Sequence, residues 1–191
     1  MTEHELLNIL ANVKLLRPLT YPALRRLAAL GRILKVKKDF IIIGPEIGSI
    51  NAYVVLEGSI AVVMPWGPVL AYLGPGELFG EMALIAGIER TAYCKAAIDS
   101  VVFEIPFNCF HADMLPNPVV RAAIEDLSFA RHEVQQAIRE GGAPPELTPP
   151  EEPAPVAEAP AEDDASPGEV SAGAVLPKPE APKPPPVYAT A

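Results

Sequence analysis

The sequence is poor in the residues that mark several large classes of protein. It has two cysteines among 191 residues, Cys94 and Cys109, and neither lies in a CxxC pair or near a histidine with ligand spacing. This pattern does not fit a secreted disulfide framework. The three histidines are scattered along the chain and do not predict a metal site. No nucleophile motif is present that would indicate an enzyme. The start MTEHELLNIL has no signal-peptide pattern, and no apolar run approaches the roughly 20 residues of a membrane span. We therefore expect a non-enzymatic cytoplasmic protein.

Positive charge is also scarce, and the two parts of the chain differ in composition. Of the 23 prolines, 14 lie between Pro144 and Pro186, and residues 143–191 carry nine acids against two lysines. Residues 1–142 have 15 acids and 13 bases, so they lack the basic surface that nucleic acids require. The Pro-rich acidic segment has too few apolar clusters to bury a core. We expect a folded domain over 1–142, a disordered tail over 143–191, and no nucleic-acid partner.

The first and last parts of the folded region have helical periodicity. Apolar residues on one face predict a helix over 3–14, and Thr20 should cap a second helix that ends at Gly31. Near the other end, Phe107–Leu115 has the pattern of a short helix. Asn117 should cap a longer helix that begins with Pro118 and runs to about Arg139.

Between these helices, short apolar runs are separated by turn residues. This spacing predicts an antiparallel barrel or jelly roll. The runs are Phe40–Ile43, Ala52–Leu56, Ile60–Met64, Val69–Leu73, Thr91–Ala97 and Val101–Ile105.

The stretch Gly76–Ala97 (GELFGEMALIAGIERTAYCKAA) concentrates the residues with ligand-binding chemistry. Gly80 precedes a short apolar run, Met82–Ile85, which fits a helix of one or two turns. Amides at a helix N-terminus lack partners and attract anions. Arg90 supplies a permanently charged fork that suits phosphate, and Glu81 can accept hydrogen bonds from sugar hydroxyls. These groups fit a small anion with a neighbouring hydroxyl, such as a cyclic ribose phosphate.

The segment GELFGEMALIAGIERTA closely resembles the phosphate-binding cassette of the cyclic-nucleotide-binding domain family. That family includes catabolite-activator-type regulators, regulatory subunits of cyclic-nucleotide-dependent kinases, and cyclic-nucleotide-gated channels. The upstream GSINAYVVLEGSIAVV is similar to the family's second and third strands, with Gly48 and Gly58 at the turns. The resemblance covers about 10–140. It implies an α+β, mainly β fold: an antiparallel eight-stranded β-roll (jelly roll) with N-terminal helices and C-terminal hinge and lid helices.

The resemblance also implies roles for individual residues. Glu81 would bind the ribose 2′-hydroxyl, and Arg90 would pair with the cyclic phosphate. Leu84 would either pass movement of the cassette to the hinge helix or simply pack in the core. The other expected ligand contacts come from the backbone near Gly80, Met82, Ala83, Thr91 and Ala92.

The choice between cGMP and cAMP is left open by the residues. In the family, a hydroxyl residue at the position of Thr91 often accompanies cGMP preference, because it can bond the guanine 2-amino group. On the lid helix, a carboxylate of Glu125 or Asp126 can accept hydrogen bonds from guanine N1–H and its amino group. The alternative is that both acids are solvated helix charges. No metal or cofactor is implied besides this ligand.

Two departures from the family's pattern stand close to the expected phosphate site. Glu89 occupies the position before Arg90, where the family often has proline, and its charge would weaken binding if it pointed inward. Tyr93 and Cys94 stand where small or β-branched residues are common. Neither departure removes the groups expected to hold the ligand.

Two functions from different classes fit these observations. The first is a cyclic-nucleotide sensor whose lid helix moves on binding and signals to a partner protein through that helix or the Pro-rich tail. The second is an adaptor with a degenerate fold, in which the tail is the working part. Apolar residues on the lid helix (Ile124, Leu127, Val134) are compatible with a homodimer seam or with packing against the domain itself.

Overall fold

A computed structural model describes residues 2–65, 67–87 and 89–151, so the predicted tail lies outside the described residues from position 152 onward. The helices are α1 (Glu3–Asn12), α2 (Tyr21–Leu30), α3 (Glu81–Ala86), α4 (Phe107–Cys109), which continues as a π-helical turn (Phe110–Met114), and α5 (Pro118–Arg139). The strands are β1 (Arg32–Val36), β2 (Ile41–Ile43), β3 (Ala52–Glu57), β4 (Ile60–Val63), β5 (Val69–Leu73), β6 (Leu78–Phe79), β7 (Tyr93–Ala96) and β8 (Ser100–Ile105).

The eight strands form two four-stranded antiparallel sheets, which confirms the predicted β-roll. One sheet has the order β1-β8-β3-β6 and the other β2-β7-β4-β5. The strands β1 and β6 had no apolar run of their own in the sequence. Both lie at a sheet edge; β1 has one buried residue, and β6 is two residues long, so neither can show a clear period.

The central strands β3 and β8 are mostly apolar because both of their faces are buried. Along β8, Val102 faces the space between the two sheets, whereas Phe103 faces the helices. Along β3, Val55 faces the space between the sheets and Val54 faces the helices. Alternate side chains of a strand point to opposite faces, so one strand serves two cores.

The helices α1, α2 and α5 pack on the outer face of the first sheet, in the core that contains Phe103 and Val54. Ile124 of α5 is fully buried there, so it packs against its own domain rather than offering a dimer seam. Asn117 caps α5 as predicted, since its side chain accepts hydrogen bonds from the amides of Val119 and Val120. Thr20 precedes α2, but its side chain makes no capping hydrogen bond.

The turn between β3 and β4 depends on glycine. Gly58 has a φ of 85°, in the left-handed region that side chains disfavour. A Cβ at this position would lie 2.3 Å from Ser100 Oγ and 2.6 Å from the Asp99 carbonyl oxygen. Among the residues that the structure describes, no helix is long and apolar enough to cross a membrane.

Candidate ligand-binding site

A cavity of about 240 Å³ lies between the second sheet, the segment 79–92 and α5. Its wall is mostly apolar, with Ile43, Val62 and Leu70 contributed by the sheet. The residues expected from the sequence to contact a ligand all line it: Gly80, Glu81, Met82, Ala83, Arg90, Thr91 and Ala92. The fold thus brings the cassette residues to one concave site, which is the usual form of a small-molecule site.

The start of α3 is built around a glycine. Gly80 precedes the helix with a φ of 81°, in the left-handed region. A Cβ there would lie 2.7 Å from Ile43 Cδ1 and 3.2 Å from Arg90 Nη1. Glycine is therefore required both by the backbone conformation and by the close approach of the arginine. Leu84, on the same helix, packs against the core formed by the helices and the first sheet.

The guanidinium of Arg90 is held by backbone carbonyls. Its Nη2 donates to the carbonyl of Asn51 at 2.8 Å and to that of Ser49 at 3.0 Å. Its Nε also donates to Ser49, at 3.3 Å, and its Nη1 donates to the carbonyl of Gly80. Burial lowers the pKa of Arg90, and three carbonyl dipoles offset part of the cost of burying the charge. A bidentate phosphate contact uses two N–H groups, so a phosphate must take over some of these bonds.

Asn51 connects this arginine to the end of the β-roll. While its carbonyl accepts from Arg90, its side chain donates to Glu104 Oε1 at 2.8 Å and accepts from the Phe107 amide, at the start of α4, at 3.1 Å. Arg32 donates to the other oxygen of Glu104 at 2.7 Å. Burial alone raises the pKa of Glu104, but the hydrogen bonds from Asn51 and Arg32 outweigh it and lower the pKa.

We expect Asn51→Ala to lower the free energy of unfolding by about 1–3 kcal/mol, because it removes one hydrogen bond from the buried carboxylate of Glu104 and the acceptor of the Phe107 amide. Urea titration at pH 7 measures this loss. Since the pKa of Glu104 is lowered, the stability it contributes is lost as the pH falls through its folded value, and the deficit of the variant should shrink in acid. Asn8→Ala, at an exposed position of α1, is the control and should change stability by under about 0.5 kcal/mol. A loss of stability under about 0.5 kcal/mol for Asn51→Ala, no larger than that of the control, would contradict this role of Asn51.

Glu81 is buried and bonded to the C-terminal helix. It is 1% exposed, and its Oε1 accepts from Arg131 Nη1 of α5 at 2.8 Å. The same nitrogen donates to the carbonyl of Leu78 at 2.7 Å. The pair therefore fixes the carboxylate at the cavity wall and ties α3 to α5.

Thr91 makes a second connection between the cassette and α5. Its hydroxyl donates to Gln135 Oε1 at 3.0 Å, and Gln135 Nε2 lies 3.9 Å from Met82 Sδ. Gln135 is buried although it is polar. The cavity is thus covered on one side by α5, whose lining residues are Ala130, Arg131, Val134 and Gln135.

The acids expected on the lid helix lie elsewhere. Glu125 and Asp126 are exposed and do not line the cavity. Arg131 and Gln135 do line it, and sequence reasoning missed both. They follow the buried Ile124 by seven and eleven residues, which is about two and three helical turns. Two polar residues on the otherwise apolar face of α5 could have indicated from the sequence that this face meets a ligand site.

The remaining departures from the family's pattern also have defined places. Glu89 is exposed and lies at the rim of the cavity, and Tyr93 donates its hydroxyl to Glu46 at 3.0 Å. Cys94 is buried in the cavity wall. Across the described ranges 2–65, 67–87 and 89–151, no group of three or more His, Cys, Asp or Glu could hold a metal ion.

Burial raises the pKa of the Cys94 thiol to about 12 from an ordinary 9.0, which lowers its thiolate population about a thousandfold. In a Cys109→Ala chain, Cys94 should therefore react with iodoacetamide at pH 8 at least about fiftyfold more slowly than a free thiol. Mass spectrometry follows the labelling, and unfolding in urea should restore the ordinary rate. Rapid labelling of the folded chain would show that water reaches this wall of the cavity.

The fold and the cavity define an antiparallel β-roll that can enclose a small ligand beside an arginine. Residues 36–114 match the family model of the cyclic nucleotide-binding domain. The chain therefore contains a domain of the cyclic nucleotide-binding family.

Three solved structures with a similar fold belong to regulatory proteins. The chain is similar to cAMP-bound PfPKA-R, with a TM-score of 0.64 and 18% identity over 74% of this chain and 48% of that one. It is also similar to the regulatory subunit of a cAMP-independent protein kinase A from Trypanosoma brucei (TM-score 0.63, 19% identity, 71% and 49% covered). The sensor domain of the transcriptional regulator DNR from Pseudomonas aeruginosa has a TM-score of 0.58 at 16% identity, with 69% and 96% covered. These likenesses establish the fold.

A curated relative matches over a shorter stretch. An uncharacterised NTE family protein from Mycobacterium tuberculosis is 31% identical over 74 residues, which is 39% of this chain and 13% of the relative. The chain thus spans a small part of that relative's length, and about half of the two kinase-subunit structures.

Proposed function

We propose that this chain is a cytoplasmic sensor of a cyclic purine nucleotide, cGMP or cAMP, and that α5 moves on binding and signals to a partner protein. The observation that carries the proposal is the placement of Glu81 and Arg90 in one cavity, with Glu81 bonded to α5 through Arg131. One residue supplies an acceptor for sugar hydroxyls and the other a cation for phosphate. The bond to α5 connects the ligand to the helix.

The ligand's polar groups match the cassette. The cyclic phosphate carries one negative charge, and Arg90 has a planar fork of donors to receive it. Thr91 and Ala92, which follow Arg90 in the chain, also line the cavity. Arg131 holds Oε1 of Glu81, and a carboxylate has a second oxygen that can accept from the ribose 2′-hydroxyl. The structure of PfPKA-R with cAMP supports a ligand of this class.

The size of the cavity supports movement of α5. A volume of about 240 Å³ is below the roughly 300–1,000 Å³ of typical small-molecule sites. The sheet walls are fixed by strand pairing, whereas α5 is tied to the cassette mainly by the Arg131 and Gln135 contacts. Entry of a nucleotide therefore displaces α5. The nucleotide can shift α5 to the displaced position only if it binds the chain more tightly in that position than in the original one.

Hydrogen–deuterium exchange on the full chain tests this movement. Saturating cGMP or cAMP should change the exchange of amides across 118–139, most strongly near Gln135, and should protect the cassette 80–92. The matched control ligand is the open 5′-monophosphate of the same base, which lacks the cyclic ester and should leave both segments unchanged. Protection of the cassette with no change in α5 would show binding without lid movement and would remove the signalling part of the proposal.

The outer face of α5 offers a surface for the partner. Val119 and Phe129 are 61% and 65% exposed, and such apolar residues on a moving helix suit a docking partner or a second copy of the chain. The Pro-rich tail is the other candidate contact. Two buried, unpaired cysteines suit the reducing cytoplasm. The adaptor alternative predicts that the folded chain binds neither nucleotide.

A further inference from the structure

A second cleft meets the nucleotide cavity at Arg131, which lines both and is the one residue they share among those that the structure describes. The cleft has a volume of about 510 Å³, within the roughly 300–1,000 Å³ of typical small-molecule sites. One wall is α5, and the other is formed by the link between α1 and α2 and by the start of β6. Most of the lining is apolar: Leu15, Pro18, Leu78, Val119, Ala123 and Leu127.

The α5 wall of this cleft is an apolar stripe that ends in a cation. Its members are Val119, Ala123, Leu127 and Arg131. They are spaced by four residues and therefore lie along one face of the helix. From Val119 to Leu127 the stripe is about 12 Å long, at 1.5 Å per residue. Val119 is 61% exposed, so that end of the cleft is open to solvent, whereas the Arg131 side chain is 20% exposed. This arrangement matches a ligand with a hydrocarbon chain and one charged head.

Hydrogen bonds join the two walls of the cleft at two places. Asn117, which caps α5, donates from its side-chain amide to the Pro18 carbonyl at 2.8 Å. Arg131 Nη1 donates to the Leu78 carbonyl at 2.7 Å. The two bonds hold the walls at a fixed separation, so the cleft is formed before a ligand arrives. A preformed site loses less free energy to ordering when it binds.

The charged groups of the cleft favour an anionic head. Among the described residues, Nη1 is the one nitrogen of Arg131 with a hydrogen-bond partner. Its Nε–H and Nη2–H lie side by side in the guanidinium plane and can hold both oxygens of a carboxylate. Within the same ranges the Lys14 ammonium also has no partner. Glu77 lines the cleft as well, but its carboxylate accepts from the Gly74 amide at 2.7 Å, which offsets part of its charge.

We propose that this cleft binds a free aliphatic carboxylic acid. The carboxylate accepts from Nε and Nη2 of Arg131, Lys14 adds a second positive charge, and the hydrocarbon chain lies along the stripe from Leu127 to Val119. Arg131 then serves two sites, since its Nη1 remains bonded to Glu81 at the nucleotide cavity. The acid site goes beyond the proposed function and does not depend on it.

The test is a calorimetric titration of the full chain, refolded free of host lipid, with decanoate. One decanoate per chain should bind at micromolar concentrations. The alcohol 1-decanol has the same chain without the charge, so it should bind at least about tenfold more weakly, because the charge-assisted bonds to Arg131 are lost. Hexanoate should also bind at least about tenfold more weakly, since each buried methylene contributes roughly fourfold to affinity.

Two pairs of variants locate the acid in the cleft. Ala123→Phe fills the stripe and should lower the affinity for decanoate at least about tenfold, because the chain loses its apolar contact. Ala122→Phe is the matched control, since Ala122 is exposed and does not line the cleft; affinity should stay within about twofold. Lys14→Ala should lower the affinity about two- to fivefold, whereas Lys35→Ala, at an exposed position of β1, should not change it. Circular dichroism shows whether each variant is folded.

Three results would overturn the acid site. The first is no binding of decanoate, or equal affinities for decanoate and 1-decanol. The second is decanoate binding that survives Ala123→Phe, because the acid would then lie elsewhere in the chain. The third is sedimentation with vesicles of phosphatidylcholine and phosphatidylglycerol by a chain that does not bind decanoate, which would assign the cleft to a lipid surface. If Ala123→Phe fails to fold, the comparison of decanoate with 1-decanol and the Lys14→Ala variant decide. Each of these results leaves the proposed nucleotide sensor standing.

Discussion

Arg90→Ala should weaken the binding of cGMP and cAMP by at least about a hundredfold, because two charge-assisted hydrogen bonds to the phosphate are lost. The same change leaves the carbonyls of Ser49, Asn51 and Gly80 without their donor, so the free energy of unfolding should also fall by about 1–3 kcal/mol. Competition against a fluorescent cyclic nucleotide measures the affinity, and circular dichroism shows whether the variant is folded.

Two further variants separate charge from geometry at this position. Arg90→Lys keeps the charge but not the planar fork, so it should lose about tenfold in affinity rather than a hundredfold. Arg139→Ala removes an exposed arginine at the end of α5 and should leave affinity within about twofold, because an exposed charge away from the cavity is screened. Equal affinities for wild type and a folded Arg90→Ala variant would mean that no phosphate lies beside Arg90.

Glu81→Ala should cost both affinity and stability. Loss of the charge-assisted bond to the ribose hydroxyl should weaken nucleotide binding about ten- to a hundredfold. The Arg131 side chain, which is 20% exposed, would keep its hydrogen bond to the Leu78 carbonyl but lose its counter-ion. Breaking a buried ion pair at one partner is strongly destabilising, and we expect a loss of about 2–4 kcal/mol, since Arg131 retains some contact with water. Urea unfolding and nucleotide titration on the same sample give both quantities.

A double variant distinguishes the two roles of Glu81. Glu81→Ala combined with Arg131→Met removes both charges and replaces the arginine by a shorter, unbranched apolar chain. Stability should recover by at least half, because no unpaired charge remains, whereas affinity should stay low, because the ribose acceptor is still absent. Recovery of affinity along with stability would show that Glu81 acts only through packing and does not touch the ligand.

The sequence contained the cassette in a form that could be interpreted residue by residue. Gly80–Ala83 and Arg90–Ala92 are close together in the chain, and a short helix between two strands leaves them few ways to be arranged. Their placement in one cavity followed from local structure. The need for glycine at position 80 has a similarly local origin, in a left-handed backbone conformation and a close contact with Arg90.

The contribution of α5 could not be obtained in the same way. The helix begins 26 residues after Ala92, the last residue of the cassette, and its register over the cavity is set by packing of Val120 and Ile124 in the core. A shift of one residue rotates a helical side chain by about 100°, so Glu125 and Asp126 fall on the solvent side although Ile124 is buried. Arg131 and Gln135 became candidates only once that buried face was fixed.

Strand prediction failed for a related reason. β1 and β6 are edge strands, one with a single buried residue and one of only two residues, and their pairing partners are β8 and β3, distant in the chain. Long-range pairing, rather than a local apolar pattern, makes them strands. The π-helical turn after α4 likewise had no distinct pattern within the apolar segment Phe107–Leu115.

Calorimetric titration of the nucleotide-free full chain with cGMP and with cAMP tests most directly whether this cavity is a cyclic-nucleotide site. The chain is first unfolded, dialysed and refolded, so that no nucleotide from the expression host remains. Binding of at least one of the two nucleotides at micromolar concentration or below, with one site per chain, is the expected result. Absence of heat with both, from a chain that unfolds cooperatively, would contradict the sensor and leave the β-roll as the scaffold of an adaptor.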